Sequence, residues 1–301
     1  MQSSKQPATS AFTAPGNWYR GNLHMHSTES DGSLSPADAI AWYRERGYDF
    51  VSLTDHRATT QTGQFSDERF LVIPGIELDC VDPERDIGYH IVGFGVTPFS
   101  QPEPTRRGPG QQLVDQIRAH GGLALMAHPY WLGQEGADIL AVTGWTGLEV
   151  YNATCARPGK AYSMVQWDRI LDRGHLIYGF ATDDAHRYED DAGKGWIMVK
   201  APALTAEAIL EAIRRGHFYA TQGPSILDVR VDEEAVHVHT SPVVEIRCIS
   251  NRGRGLVVAA EPGAVLTSVT VPRSRISKYL RVECVDAEGR MAWSQPQFLA
   301  S

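Results

Sequence analysis

Short apolar runs that each end in a histidine or a carboxylate recur along this chain, and they restrict its fold more than any other feature. Trp18–Leu23 leads into His24-Met25-His26, with Ser30-Asp31-Gly32 close behind. Phe50–Thr54 delivers Asp55-His56-Arg57, Phe70–Ile76 delivers Glu77, and Leu123–Ala127 exits at His128-Pro129. Gly147–Tyr151 exits at Asn152, and Leu176–Thr182 exits at Asp183-Asp184-Ala185-His186. Tyr89–Gly95 reads as one more strand, with His90 near its start. Side chains alternate across a strand, so His24 and His26 emerge on one face while Leu23 and Met25 take the other.

Helices fall between these runs. Ser35 reads as an N-cap with Pro36 at the first helical position, opening a helix over Ala37–Arg46 that Gly47 closes. Gln111–His120 stops at Gly121-Gly122, Tyr162–Arg173 at Gly174, and Ala206–Arg215, capped by Thr205, at Gly216; Trp196–Val199 is a further strand. Strand and helix alternate roughly seven times, which predicts an α/β fold with a parallel sheet closed into a barrel and functional residues at the strands' C-terminal mouths. Residues 98–110, rich in proline, form a loop and a candidate lid. Beyond Ser225 the apolar period becomes two, which predicts a small antiparallel β appendage; His237 and His239 lie on its exposed strand face. The expected organisation is a loose arm over 1–17, a barrel over 18–224 and a β domain over 225–301.

A chain of 301 residues with 42% hydrophobic content can bury a large core. Its net charge of −8 argues against a broad surface for nucleic acid or anionic membranes, so the expected partner is a small-molecule substrate, with no extended nucleic acid and no membrane. Nothing in the sequence sets an oligomeric state. Cys80, Cys155, Cys248 and Cys284 form no CxxC pair and read as buried free thiols. The N-terminal run lacks an apolar core and no stretch approaches a membrane span, so a soluble, cytoplasmic protein is expected.

The strand exits collect His24, His26, Asp31, His56, Glu77, His90, His128, Asp184 and His186. Six of the eleven histidines gather there, which packing alone does not explain, because a neutral imidazole needs polar partners. Nitrogen and oxygen donors without thiolate suit two or three divalent ions of Mn, Fe or Zn. Arg57, Arg187 and Lys194 flank these strands as candidate phosphate-gripping cations. Tyr130, Trp131, Tyr151 and Asn152 are candidates for the pocket wall.

His24-x-His26 with Ser30-Asp31-Gly32, then Thr54-Asp55-His56, Gly75-x-Glu77, His90, Ala127-His128-Pro129 and Asp184-Ala185-His186 resemble the PHP (polymerase and histidinol phosphatase) domain of metal-dependent hydrolases, along residues 18 to about 224. The resemblance implies a distorted seven-stranded, TIM-like (β/α) barrel, a trinuclear metal site and phosphoester hydrolysis by a metal-activated water, on a small phosphomonoester or phosphodiester that includes nucleotides. Trp18–His24, Gly195–Val199 and Phe218–Pro224 are similar to the branch of carbaryl-hydrolase-type enzymes, which makes a carboxyl-ester or aryl carbamate hydrolase the rival reading. A non-catalytic metal-binding module is the third. By the resemblance His24, His26, Glu77 and Asp184 hold one ion, Asp31, His56 and His186 a second, and Glu77, His90 and His128 a third, with Glu77 bridging. Many members have histidine where this chain has Asp31, which favours a harder ion at the second position. Asp183 competes with Asp184, and the Asp-x-His spacing selects Asp184. Asp55 is expected to orient a neighbouring imidazole, and His186 to protonate a leaving group when not committed to metal.

Overall fold

The computed structural model describes residues 10–299, except for the side chain of Pro104. Residues 1–9 of the expected loose arm lie outside that range. Residues 10–17 are not loose: they make a turn that buries Ala11 and Ala14 and brings the Phe12 ring to within 5.9 Å of Trp18 and 6.3 Å of Tyr219. Three aromatic rings in mutual contact supply the apolar burial that the Ser/Thr/Pro composition alone did not suggest.

The chain divides into two units, one formed by Tyr19–Ile197 with Leu204–Ala206, the other by the segment up to Trp18, Met198–Ala203 and Glu207 onward. The larger unit is α/β with a mostly parallel sheet. Its strands are β1 (Asn17–Asn22), β2 (Phe50–Leu53), β3 (Leu71–Asp82), β4 (Ile87–Phe94), β5 (Leu123–Met126), β6 (Gly147–Asn152) and β7 (Tyr178–Thr182), hydrogen-bonded in that order. Helices α1 (Pro36–Glu45), α2 (Gln111–Ala119), α3 (Gly136–Leu140) and α4 (Met164–Asp172) fill the connections. Ser35 caps α1 as its sequence indicates, its hydroxyl accepting from the Asp38 amide at 3.2 Å.

The all-parallel expectation fails at β4, which runs antiparallel to both β3 and β5. Only residues 83–86 separate β3 from β4, and a parallel return needs a crossover of about a dozen residues, so the chain must make a hairpin. β3 therefore continues past Glu77 to Asp82, and Glu77 lies in mid-strand rather than at a strand end. Beyond β1 and β7 the chain pairs with itself: Met25 bridges Ala185, the Asp184 amide donates to the His24 carbonyl at 2.8 Å, and the His26 amide to the Ala185 carbonyl at 2.9 Å. Met25 is buried with Ile40, Tyr43, Val51, Leu53, Val72 and Tyr188, which leaves His24 and His26 on the opposite face.

The proline-rich segment 98–110 lies along β3, with the Gln101 side chain donating to the Asp79 carbonyl at 2.8 Å and the Gly108 amide to the Val81 carbonyl at 3.0 Å. The residues lining the large pocket described below do not include it.

In the second unit, β8 (Trp196–Ala201), α5 (Ala206–Arg214) and β9 (Phe218–Thr221) precede the period-two strands β10 (Ile226–Val231), β11 (Ala235–Val243), β12 (Glu245–Ile249), β13 (Gly255–Ala259), β14 (Leu266–Pro272), β15 (Tyr279–Val285), β16 (Met291–Ser294) and β17 (Gln297–Phe298). The expected boundary at residue 224 falls inside this unit, because β9 pairs antiparallel with β16. A three-stranded sheet, β10-β11-β14, and a larger one carrying β13-β12-β15-β16-β9 share one apolar core, where Val229, Val236 and Val238 meet Ile246, Val282 and Cys284. His237 is partly exposed and His239 exposed on β11. All four cysteines are buried and free. No helix among the described residues is long and apolar enough to cross a membrane.

Candidate metal centre

All nine strand-exit residues converge at one end of the larger unit. They form three overlapping groups, each with its donor atoms within 4.8 Å of one another: His24, His26, Glu77 and Asp184; His26, Asp31, His56 and His186; and Glu77, His90 and His128. Glu77 is the hub. Its Oε2 lies 3.3 Å from His24 Nε2, 3.2 Å from His26 Nε2 and 3.2 Å from His56 Nδ1, and its Oε1 lies 2.9 Å from His90 Nδ1 and 3.5 Å from His128 Nε2. The antiparallel insertion of β4 places His90 here, since it sits opposite Asp79 on the strand that carries Glu77.

Backbone strain marks the same rim. Arg57, His128 and Asp184, each just past a strand end, have φ of 65°, 29° and 55°, a region that non-glycine residues seldom adopt without a surrounding structure that enforces it. Gly32 serves the rim by size: its amide donates to the Ser27 carbonyl at 2.9 Å, and a Cβ there would fall 2.3 Å from the His26 carbonyl oxygen.

Outer hydrogen bonds fix which ring nitrogens face inward. His24 Nδ1 is 2.6 Å from Glu149 Oε1, so its Nε2 is left for the cluster. His186 Nδ1 donates to the Asp184 carbonyl at 2.7 Å, which turns its Nε2 to Asp31 at 3.2 Å. Asp55 touches no imidazole directly. It accepts from the Ser27 amide and hydroxyl and from the Ser30 hydroxyl, and Ser30 Oγ stands 3.3 Å from His26 Nδ1, so the expected orienting role passes through a serine. Asp183 points away from the cluster and accepts from Asn22 Nδ2, Tyr43 Oη and the amides of Gly193, Lys194 and Gly195, while Asp184 presents Oδ1 to both His24 and His26 at 3.1 Å. Burial lifts the Asp183 carboxyl to about 6, against the pull of those donors.

These contacts shift the protonation of the ligating groups. Burial alone would lower His24 and His26, but Asp184, Glu149 and Glu77 hold His24 well above its usual value, and Asp184 and Glu77 lift His26 to about 9. His90 and His186 rise in the same way, the one beside Glu77 and the other beside Asp31. Burial opposes ionisation of Glu77 and Asp184, yet the imidazoles around them keep both carboxyls below the usual range; Asp31 is held low chiefly by His186 and His56.

The donor set fits divalent cations. His24 Nε2 and His26 Nε2 lie 3.2 Å apart and face the same two carboxylate oxygens, an arrangement that two acceptor nitrogens tolerate only with positive charge between them. His56 Nδ1 and His128 Nδ1 are buried and make no hydrogen bond, although Glu77 Oε2 is 3.2 Å from the former. Histidine nitrogen and carboxylate oxygen without thiolate is the chemistry of Mn, Fe or Zn.

Over the cluster opens a pocket of about 1050 Å³, lined by seven of the nine candidate ligands, by Trp131, by residues 153–158 and by Arg187, Asp190, Asp191 and Lys194. Two of the expected substrate residues are placed elsewhere. Arg57 is not among the lining residues, and its Nε pairs with Asp79 Oδ1 at 2.5 Å. Asn152 is buried and committed, its Nδ2 donating to Glu149 at 2.7 Å and to Asp184 at 3.1 Å while its Oδ1 accepts from the Cys155 amide. Of the expected aromatics Trp131 lines the pocket; Tyr130 and Tyr151 do not. The sequence reading passed over three contributors. Arg157 lines the pocket, Asp191 accepts from the amides of His186 and Arg187, and Glu149 accepts from His24, the His128 amide, Asn152 and Thr182. The available signal for Glu149 was a lone carboxylate inside the apolar run Gly147–Tyr151, where an unpaired charge is too costly to bury.

No family model matches the chain. Over 79 residues it is 34% identical to phosphoribosyl 1,2-cyclic phosphate 1,2-diphosphodiesterase of Eggerthella lenta, which covers 25% of this chain and 30% of that protein. Over 175 residues it is 27% identical to the 5'-3' exoribonuclease Rnm of Escherichia coli, 52% of this chain and 55% of that one. The chain thus spans about half the length of one curated relative and less than a third of the other. A crystallised two-domain protein from Bacteroides vulgatus, described as containing a predicted PHP-like metal-dependent phosphoesterase, aligns at a TM-score of 0.51 with 15% identity, over 99% of this chain and 100% of that one. The chain has a PHP-like fold.

Proposed function

We propose that the protein is a metal-dependent phosphoesterase of the PHP type, acting on a small phosphomonoester or phosphodiester, nucleotides included. The observation that carries this is the convergence of six imidazoles and three carboxylates on three overlapping sites with Glu77 common to two of them. His24, His26, Glu77 and Asp184 would hold one ion, Asp31, His56 and His186 a second, and Glu77, His90 and His128 a third. The backbone pairing of residues 24–26 with 184–185 supports closure of the sheet into the distorted barrel that such a site needs. The carboxylate of Asp31 on the second site favours Mn or Fe(II) there over a softer ion.

Bound divalent ions would supply an activated water and neutralise charge on the phosphoryl oxygens. The chain's own residues do the rest. Arg157, Arg187 and Lys194 line the pocket as exposed cations without an ion-pair partner among the described residues, in a chain of net charge −8. Cations left unpaired beside a metal-ligand cluster are placed to grip phosphate oxygens, the arginines by two-pronged hydrogen bonds. Glu149 and Ser30 hold the protons of His24 and His26 on Nδ1, away from the cluster. His186, partly exposed, keeps a proton at Nε2 when that nitrogen is not engaged as a ligand, and from there can hand it to a leaving oxygen.

A carboxyl-ester or aryl carbamate substrate has no use for three unpaired cations, and a non-catalytic module has none for an open pocket over the ligands. The test is to load the purified protein with Mn(II), Fe(II) or Zn(II) and compare turnover of an aryl phosphate, a bis-aryl phosphate and an aryl carbamate. Phosphate-ester turnover that depends on added metal is expected. Hydrolysis of the carbamate alone would overturn the proposal, and metal binding without turnover of any of the three would favour the module.

A further inference from the structure

The two sides of the pocket differ in kind. Residues that follow β6 and β7 contribute the cations Arg157, Arg187 and Lys194, whereas the turn after β5 contributes the one tryptophan of the lining, Trp131. Trp131 stands edge-on to two of the ligand imidazoles, 5.1 Å from the His128 ring at 86° and 6.0 Å from the His90 ring at 69°. Its position is fixed. The Trp131 amide donates to the His128 carbonyl at 3.0 Å, the Gln134 amide returns to the Pro129 carbonyl at 2.9 Å, and the Gln134 side chain ties the turn to the Gly88 carbonyl at 2.8 Å.

A tryptophan used only for packing is mostly covered, yet Trp131 is 43% exposed, and its indole N–H donates to no group among the described residues. A large ring held rigidly beside the ligands with its surface open to the pocket is a stacking platform. Stacking of a planar group on an aromatic side chain is worth enough to change affinity by about tenfold to a hundredfold.

We infer that the substrate is a phosphate ester whose leaving group carries a planar aromatic ring, stacked on Trp131 while the phosphoryl group faces the cationic side. The ester oxygen then lies between the ligand cluster and the indole, so a ring attached close to it reaches Trp131, and an aliphatic alcohol of similar size leaves the indole uncovered. The inference rests on the phosphoesterase reading and narrows it to aryl or nucleoside esters.

Two measurements on the full-length protein test it. In the first, kcat/KM for phenyl phosphate and for glycerol phosphate is compared in the wild type, Trp131→Ala and Trp131→Phe, each with the same metal content. The wild type should prefer the aromatic ester, and the ratio of the two values should fall by about tenfold or more in the alanine variant and recover in part with phenylalanine, through KM more than kcat. A ratio unchanged by Trp131→Ala, even with both rates reduced, would make the indole a mere support for His128 and overturn the inference. In the second, calorimetry compares binding of phenylphosphonate and methylphosphonate, which are not hydrolysed. Preference for the phenyl compound that is lost in Trp131→Ala supports the platform even if no ester is turned over, a result that would count against the phosphoesterase reading alone; equal binding of both by the wild type overturns the platform.

Discussion

Replacing Glu149 with glutamine should weaken metal binding at the candidate site that includes His24 while leaving the chain folded, and the geometry sets the scale. The carboxylate is 1% exposed and accepts four hydrogen bonds, two per oxygen: His24 Nδ1 at 2.6 Å and Thr182 Oγ1 at 2.7 Å on Oε1, the His128 amide at 2.8 Å and Asn152 Nδ2 at 2.7 Å on Oε2. Glutamine has one oxygen. If its NH2 takes the Oε2 position it confronts the His128 amide, which cannot turn away, and the Asn152 amide. If it takes the Oε1 position, Thr182 can rotate to accept, but His24 must move its proton to Nε2 and so loses the lone pair that faces the cluster. The first placement strands two buried donors, at about 1–3 kcal/mol each, and the second strands none but turns the His24 lone pair away from the cluster. In the first placement the total of about 2–6 kcal/mol is a large part of a domain's stability and corresponds to a fall in Tm of roughly 5–15 °C. Loss of a carboxylate behind a metal-ligating histidine weakens metal binding by about tenfold to a hundredfold. Elemental analysis after dialysis at graded free metal, with a thermal melt of the stripped protein, reads both effects. Wild-type metal content and a melting temperature within a degree of wild type would show that Glu149 supports neither His24 nor the rim.

Glu77→Gln removes the group shared by two of the three sites and should cut bound metal per chain and abolish turnover; unchanged content and rate would take Glu77 out of the bridging role. Stability of the metal-free protein should fall between pH 6.5 and 9.5. His26 titrates near 9 in the folded chain against an ordinary histidine value near 6.5, so its contribution is fully present below the latter and lost as pH rises through the former, and His24, His90 and His186 shift the same way. Glu77, Asp31 and Asp184 are shifted down, so what they contribute is lost only in acid and does not change in this window. Saturating metal, which competes with protons for the same nitrogens, should narrow the difference between the two pH values, as melts at both will show; a stripped protein that melts higher at pH 9.5 would contradict this. The four buried thiols, raised by burial, with Cys248 at about 12, should resist a thiol reagent until denaturant is added and then react in full.

Most of the clustered residues were legible because they follow apolar runs, and burying such a run as a strand fixes where the residues after it emerge; His90, near the start of β4, and Asp31, in a loop, were legible only through the motif resemblance. The hand of β4 was not. A buried antiparallel strand and a buried parallel one have the same apolar composition, and the distinction lay in the short link Pro83-Glu84-Arg85-Asp86, which permits a hairpin and no crossover. Side-chain direction was equally hidden. Arg57 follows His56 in sequence, but its positive φ sends the guanidinium to Asp79, and Asn152, at the last position of β6, turns inward to Glu149 and Asp184. Arg157 escaped notice because it sits in a loop whose path depends on Thr154 donating to the Asp184 carbonyl and to Asp191, contacts that span 30 and 37 residues of chain. The period change that marks the C-terminal strands was visible, whereas the capture of β9 by β16 depends on a pairing across about seventy residues, which local pattern does not carry.

The ligands differ in how firmly the chain holds them, and that difference predicts an order of metal release. Glu77 lies in mid-strand between two paired neighbours, its amide donating to the Asp55 carbonyl at 3.1 Å and its carbonyl accepting from the Arg57 amide at 2.8 Å, while its register partner on β4 is Val92. It cannot shift without opening the sheet, and neither can His24, fully buried against Glu149. Asp31 belongs to a loop, its side chain is 54% exposed, and of the nine candidate ligands it is the one most open to water. His56 and His186, its companions, are also partly exposed. Because local opening costs least where few buried contacts must break, on the proposed ligand sets an ion at Asp31, His56 and His186 should leave first under a chelator, and one beside His24 and Asp184 last. A time course of metal released per chain should therefore show a fast phase that Asp31→Ala abolishes and a slow phase that Glu149→Gln accelerates. Release of all bound metal in one phase, at one rate in the wild type and both variants, would mean that the three sites open as a unit and that the rigidity of β3 does not reach the ions.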